Sequence, residues 1–114
     1  MWFLHLNLEK PAPDEIRAGV VVNGDSPWFD GHFPDSPILP GIAQLKMVAD
    51  VVGQAQKKAL WINRLHRVKF RRIVKPGELL EIHVMGTGNQ YSFRITHNAE
   101  DVCSGMMSLD DKQQ

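Results

Sequence analysis

The feature that most constrains this sequence is a proline-dense stretch between Ser26 and Gly41. It contains Pro27, Pro34, Pro37 and Pro40. Proline fixes the backbone angle φ and removes a hydrogen-bond donor, so this density excludes both a helix interior and a central strand. The stretch therefore predicts a loop with a specified conformation.

A helical period begins directly after this loop. Apolar residues recur at intervals of three and four, at Ile42, Leu45, Val48, Ala49, Val52, Ala55 and Ala59. This spacing predicts a helix of about 15–19 residues that is buried on most sides. One narrow sector of the helix is polar and holds Lys46, Asp50, Gly53 and Lys57. Pro40 suits the first helical position, where a missing N–H is no loss.

The rest of the chain has the alternation that is typical of strands. The predicted strands lie within residues 2–8, 16–23, 61–75, 80–84, 91–95 and 102–109. One buried helix with a run of antiparallel strands indicates an α+β fold in which the sheet wraps the helix. With 114 residues, the chain is long enough for one domain, residues 1–114, and too short for two.

Charge and cysteine content exclude several classes of protein. Lys and Arg number 13, as do Asp and Glu, and this balance argues against a nucleic-acid partner. The single Cys103 cannot form an internal disulfide, and the scattered histidines lack metal-ligand spacing, so no metal site is expected. No apolar run is long enough for a membrane span and the N-terminus is a poor signal peptide, so we expect a cytoplasmic protein with no membrane partner.

The loop places one histidine next to the predicted helix start. His32 lies among aromatic and aliphatic residues, nine positions ahead of Gly41. A stiff loop can fix an imidazole for proton transfer, and a helix N-terminus offers free N–H groups to a carbonyl oxygen or a developing anion. A loop histidine can equally hold its own turn through a backbone hydrogen bond. The residues alone leave both interpretations open.

Two segments carry a family resemblance. The first segment is the loop, which reads Gly-His-Phe-Pro at residues 31–34 and Pro-Ile-Leu-Pro-Gly at residues 37–41. The second segment, residues 69–78, reads Lys-Phe-Arg-Arg-Ile-Val-Lys-Pro-Gly-Glu. Together they resemble the β-hydroxyacyl-acyl-carrier-protein dehydratases of fatty acid synthesis, which have a hotdog fold. The resemblance covers about residues 24–109, and the short N-terminus is more similar to the small secondary-pathway relatives, including those of aryl polyene synthesis.

The resemblance implies a reaction, a site and an assembly. In that family a histidine removes the proton α to a thioester carbonyl, and a carboxylic acid from the other subunit protonates the departing hydroxyl. It implies His32 as the base and Gly41 as the N–H donor to the carbonyl. The substrate would arrive on the phosphopantetheine of an acyl carrier protein or as an acyl-CoA thioester, with no further cofactor. The expected substrate-binding residues are Trp28, Phe29, Phe33, Pro40 and Ile42.

The sequence departs from the family at the acid. The family carboxylate stands fourteen residues beyond the histidine, and this chain has Lys46 there. An ordinary ammonium is too weak an acid to replace a carboxylic acid. In one interpretation the acid is Lys46 with a pKa lowered by burial, or Asp50, or a water held by Gln44. Asp50 is also well placed to pair with Lys46 one turn along the helix, which would be a structural role.

Other interpretations change the partner or the reaction. A paralogue that carries the carboxylate could complete the site in a mixed dimer. Alternatively, the chain binds acyl chains or carrier protein without turnover, or it is an acyl-thioesterase, since one fold hosts several reactions.

Two features of the sequence predict contacts with other proteins: a basic segment and the apolar helix. Six of the twelve residues 64–75 are Lys or Arg. They indicate either a docking surface for an acidic carrier protein, with Arg71 and Arg72 as its contacts, or a solvated strand face. A helix that is apolar over most of its circumference needs more cover than one small sheet gives, so we expect a homodimer or a larger assembly.

Overall fold

A computed structural model describes residues 2–29 and 36–112 of the chain. Its one long helix within these residues, α1, spans Gly41–Gln56. Six strands surround it in chain order: β1 Leu4–Ala12, β2 Glu15–Val21, β3 Leu60–Phe70, β4 Leu79–Thr87, β5 Gln90–His97 and β6 Glu100–Asp111. The predicted helix and all six predicted strands are therefore present.

The strands form one antiparallel sheet in the order β1-β2-β4-β5-β6-β3, so that β1 and β3 are its edges. Alternate residues of the sheet are buried beneath the helix, because successive side chains of a strand point to opposite faces. The core joins Met47, Val48, Val51 and Val52 of α1 to Val20, Ile82, Val84, Ile95 and Val102 of the sheet. The opposite, outer face of the sheet carries exposed polar and charged side chains such as Glu81, Ser92 and Arg94, together with exposed apolar ones such as Met85 and Met106.

The start of α1 differs from the prediction by one residue. Pro40 precedes the helix with φ −59° and ψ 149°, which is an extended conformation, and Gly41 is the first helical residue. The carbonyl of Pro40 accepts the N–H groups of Ala43 at 3.0 Å and Gln44 at 3.2 Å. Pro40 can take this capping position because it supplies only its carbonyl there and needs no N–H. Its assignment to the first helical position was wrong.

The helix ends in a left-handed turn. Lys57 has φ 58°, and the N–H groups of Lys57 and Lys58 bond back to the carbonyls of Gln54 and Gly53. This pattern satisfies carbonyls that the last turn leaves unpaired. No helix in the described part of the chain is long and apolar enough to cross a membrane.

Candidate active site

One hydrogen bond joins the segment before α1 to the segment between β3 and β4, and a second joins it to the helix itself. The N–H of Leu39 donates to the carbonyl of Val74 at 2.8 Å, and the side chain of Gln44 donates through Nε2 to the carbonyl of Leu39 at 3.5 Å. The first N–H groups of a helix have no acceptor within the helix. The N–H of Gly41 is one of these, and it makes no hydrogen bond to any described residue. It can therefore donate to a carbonyl oxygen, as the resemblance implies.

The ring of Phe70 covers this helix start. A Cβ built on Gly41 would lie 2.7 Å from Cζ and 2.9 Å from Cε1 of that ring. Phe70 is the last residue of β3, and half of its surface is exposed. Sequence reasoning missed the contact of Phe70 with Gly41. The signal available was its position in the second resemblance segment, residues 69–78.

Lys46 is the first residue of the polar sector of α1. Its Nζ lies 3.7 Å from Oδ1 of Asp50, which confirms the predicted pairing one turn along the helix. Trp2 Nε1 donates to the other oxygen of Asp50 at 3.3 Å, a contact that sequence reasoning missed. Half of the Lys46 side chain is exposed in the single chain.

Gln44 is a buried polar residue of α1, three positions after Gly41. It is 3% exposed, and no described residue donates a hydrogen bond to its Oε1. A buried carbonyl oxygen without a donor is costly, so this oxygen has an acceptor position free for a water or a ligand.

The predicted pocket residues are only partly described. His32 and Phe33 lie outside the described residues. Phe29 is buried at the end of a short 3₁₀ turn, and the ring of Trp28 lies 5.7 Å from that of Trp2. This aromatic pair connects the segment before the loop to Trp2, which precedes β1 and donates to Asp50.

The two remaining predicted pocket residues differ in exposure. Pro40 is half-buried at the cap, whereas Ile42 is 68% exposed. The assignment of all five pocket residues to a substrate stays a prediction.

The two arginines assigned to carrier docking have different surroundings. Arg72 donates to both oxygens of Glu78, at 3.0 and 2.6 Å, and to Oε1 of Glu100 at 2.8 Å. These bonds raise the pKa of Arg72, and the Arg72 hydrogen bond lowers the pKa of Glu78 to about 2. Arg71 is exposed, and no carboxylate of a described residue pairs with it. A partner would have to compete with two carboxylates for Arg72 but not for Arg71.

Cys103 is buried in β6, as the sequence indicated for a lone thiol. Burial raises the pKa of its thiol to about 12. In the described ranges no three His, Cys, Asp or Glu side chains are grouped as metal ligands.

A model of a known protein family matches most of the chain. The family model described as ApeI-like, ApeI dehydratase, matches residues 8–106. A 3-hydroxyacyl-[acyl-carrier-protein] dehydratase FabZ from Rickettsia massiliae (strain Mtu5) is 39% identical over 82 residues, which cover 64% of this chain and 57% of the relative. This chain thus spans less than two thirds of the length of the curated relatives it matches.

Solved structures share the whole architecture. One chain of the dehydratase heterocomplex ApeI:P from Xenorhabdus doucetiae has a TM-score of 0.84 and 25% identity, over 96% of this chain and 98% of that one. A hypothetical thioesterase of Streptococcus pneumoniae TIGR4, solved with coenzyme A, has a TM-score of 0.68 at 11% identity over 93% of this chain and 84% of that one, which shows a shared fold alone. The prediction of an α+β hotdog fold is confirmed.

Proposed function

The chain belongs to the ApeI-like dehydratase family, and we propose from this that it dehydrates a 3-hydroxyacyl thioester to a trans-2-enoyl thioester. His32 removes a proton from C2, the hydroxyl on C3 leaves with a proton from an acid, and one water is released as the C2=C3 bond forms. The observation that carries the proposal is the N–H of Gly41 beneath the Phe70 ring, which donates to no acceptor among residues 2–29 and 36–112. There it can donate to the thioester oxygen while negative charge develops on it.

The acid in this proposal comes from a second, different chain. Lys46 stands at the family acid position, and its half-exposed ammonium pairs with Asp50, so neither side chain is set up as a buried proton donor in the single chain. A paralogue with Asp or Glu at that position supplies the missing proton. The heterocomplex formed by the Xenorhabdus doucetiae relative supports a mixed assembly.

The proposed partner covers apolar surface at the open β3 edge. Four large apolar side chains near this edge and the helix start are about half exposed or more: Ile42, Trp61, Phe70 and Ile73. An apolar surface at an unpaired strand edge favours association with another chain. In the proposed complex the second subunit would cover this surface and bring its carboxylate to the site of His32.

The proposed substrate is bound to an acyl carrier protein through phosphopantetheine. The FabZ relatives are named for this substrate class, which supports the assignment. No further cofactor enters the proposed reaction, since an elimination of water needs only an acid, a base and a polarised carbonyl.

The test is a dehydration assay on a 3-hydroxyacyl carrier thioester. We expect weak or no turnover by this chain alone and clear turnover by its complex with a carboxylate-bearing paralogue. His32→Ala in this chain should abolish the turnover that the complex gains. Lys46→Glu should give turnover by this chain without the paralogue, whereas Lys58→Glu, the same charge change beyond the other end of α1, should not.

Other outcomes would select another function. Acyl binding without turnover in any combination would identify a binding subunit. Release of free thiol from an acyl thioester would identify a thioesterase. Full turnover by this chain alone, retained in Lys46→Ala, would overturn the proposed role of the partner.

A further inference from the structure

The outer face of the sheet carries a basic groove that the proposed chemistry does not use. Its volume is about 550 Å³, and it crosses β3, β6, β5 and β4. Arg67, Lys69 and Arg71 line it at β3 and directly after it, Ser92 and Arg94 line it from β5, and Ser104 of β6 lies between these two strands. None of the described residues that line this groove is acidic. Such a surface attracts a broad, negatively charged partner.

A β-bulge directs part of this charge into the groove. Arg67 has φ 53°, in the left-handed region that L-residues other than Asn and Asp rarely adopt. The register between β3 and β6 shifts between His66 and Lys69, where Gly105 lies opposite. A Cβ on Gly105 would lie 3.0 Å from Cα of Val68, so the bulge needs glycine on the partner strand. Bulges often redirect a side chain at a functional surface, and strained backbone often marks one.

The cations of this groove differ from neighbouring arginines in their pairing. Arg72 is held by Glu78 and Glu100, and Arg17 pairs with Glu15 at 3.0 Å. By contrast, no ion pair joins a described carboxylate to Arg67, Lys69 or Arg71. Arg94 has only a long contact of 3.6 Å with Asp101. The groove therefore holds positive charge that the described carboxylates leave largely unpaired.

The groove ends next to the candidate active site. Arg71 follows Phe70 directly, and its N–H donates to the carbonyl of Val102 at 2.8 Å, which fixes the chain there. Phe70 lies over Gly41 on the inner face, while the Arg71 side chain lines the groove on the outer face. A partner in the groove would thus lie at the end of β3, where a flexible arm can pass around the sheet edge to the helix start.

We infer that this groove docks the acidic surface of the protein that delivers the thioester, through Arg67, Lys69, Arg71 and Arg94. The inference rests on the proposed function for the identity of that protein. It changes the predicted docking pair, because Arg71 stays a contact while Arg72 serves to hold the segment that follows β3. The occupant is a protein rather than nucleic acid, since the chain as a whole carries no net positive charge.

The test measures the KM for one 3-hydroxyacyl group in two forms, on the carrier protein and on free pantetheine. It uses the assembly that dehydrates this substrate. In Lys69→Glu/Arg71→Glu, the KM for the carrier-bound 3-hydroxyacyl substrate should rise on the order of tenfold or more at low salt. The KM for the same acyl group on free pantetheine should not change, because no carrier protein is present. Added salt should reduce the difference. The matched control is Lys57→Glu/Lys58→Glu, which makes the same charge change beyond the C-terminal end of α1 and should affect neither substrate.

A direct binding titration separates this inference from the proposed function. The organism's own acyl carrier protein, without an acyl group, is titrated onto the wild-type chain, the double variant and the control. Weaker binding by the double variant alone supports the docking groove even if no substrate is turned over. Equal binding by all three proteins would overturn it, as would an equal rise of KM for both substrate forms. A short DNA duplex that bound as tightly as the carrier protein would overturn the choice of occupant.

Discussion

The ring of Phe70 occupies the space where a side chain at Gly41 would lie. The two residues are 29 positions apart, and a Cβ on Gly41 would approach three ring atoms to between 2.7 and 3.1 Å. The contact joins the end of β3 to the first residue of α1. A side chain at position 41 would therefore have to displace this ring, whereas the helix itself would accept alanine there.

A double-mutant cycle tests this relationship. Gly41→Ala should destabilise the protein by about 1 kcal/mol or more, because the new methyl group must displace the half-exposed Phe70 ring. In a Phe70→Ala background the same substitution should be neutral or slightly stabilising, since alanine is the better helix former. Urea unfolding of the four proteins gives the coupling free energy. Equal effects of Gly41→Ala in both backgrounds would show that the ring does not restrict position 41.

The ion pair between Arg72 and Glu78 should make stability depend on acid pH. The folded pKa of Glu78 is lowered from 4.5 to about 2, chiefly by the Arg72 hydrogen bond. Its contribution is therefore complete above pH 4.5 and is lost as the pH falls towards 2. Glu78→Gln should lower the unfolding free energy at pH 7 by about 1–3 kcal/mol and should flatten its fall below pH 4.5.

Glu81→Gln is the control for this acid dependence. Glu81 is exposed on β4 and has no ion pair with a described residue, so the same chemical change should leave the pH profile as in the wild type. Urea unfolding at pH 7, 4 and 3 makes the comparison. A pH profile of Glu78→Gln that matched the wild type would remove Glu78 as its source.

His5 should weaken the fold as the solution becomes mildly acidic. Both ring nitrogens are buried and have no hydrogen-bond partner in the part of the chain that the structure describes, and burial lowers the pKa of the imidazole. Below pH 6.5 the unfolded chain takes up a proton more readily than the folded chain, so stability decreases as the pH falls. His5→Leu should stabilise the protein by about 1 kcal/mol at pH 5 and by less at pH 8.

The exposed His66 of β3 provides the comparison for His5. Its side chain is open to solvent, so His66→Leu should not produce the same pH-dependent gain. Thermal or urea unfolding at the two pH values measures both variants. If His5→Leu gave the same change at pH 5 and pH 8, protonation of His5 would not limit stability.

Local periodicity was enough to predict the helix and the number of strands, but not the faces of β1. Leu4 and Leu6 belong to the alternating pattern of residues 2–8, yet both are more than half exposed. The register of β1 shifts between His5 and Asn7, so that Leu4 and Leu8 pair with β2 residues of opposite faces, Val21 and Ala18. Asn7 lies against Gly19 of β2, where a Cβ would collide with its side chain. A bulge of this kind depends on the neighbouring strand, so the pattern of one strand cannot reveal it.

The candidate site was predictable where one helix sets its geometry. The spacing along α1 was sufficient to place Lys46 beside Asp50, because helical neighbours four residues apart share a face. The contact of Phe70 with Gly41 and the bond from Arg72 to Glu100 join segments that are distant in sequence. Such contacts depend on how the sheet folds around the helix, which local patterns do not contain.

Cys103 provides a chemical probe of how often the core opens. The residue has no exposed surface, lies opposite Phe70 in the β3–β6 pair, and has a thiol pKa raised to about 12 by burial. Because the thiolate is the reactive form, labelling at pH 8 requires an opening that exposes the thiol. For a domain of ordinary stability, labelling by iodoacetamide should be slower than in urea by about 10³-fold or more. Phe70→Ala should accelerate labelling, whereas labelling of the native protein at the unfolded rate would show that this edge of the sheet is open.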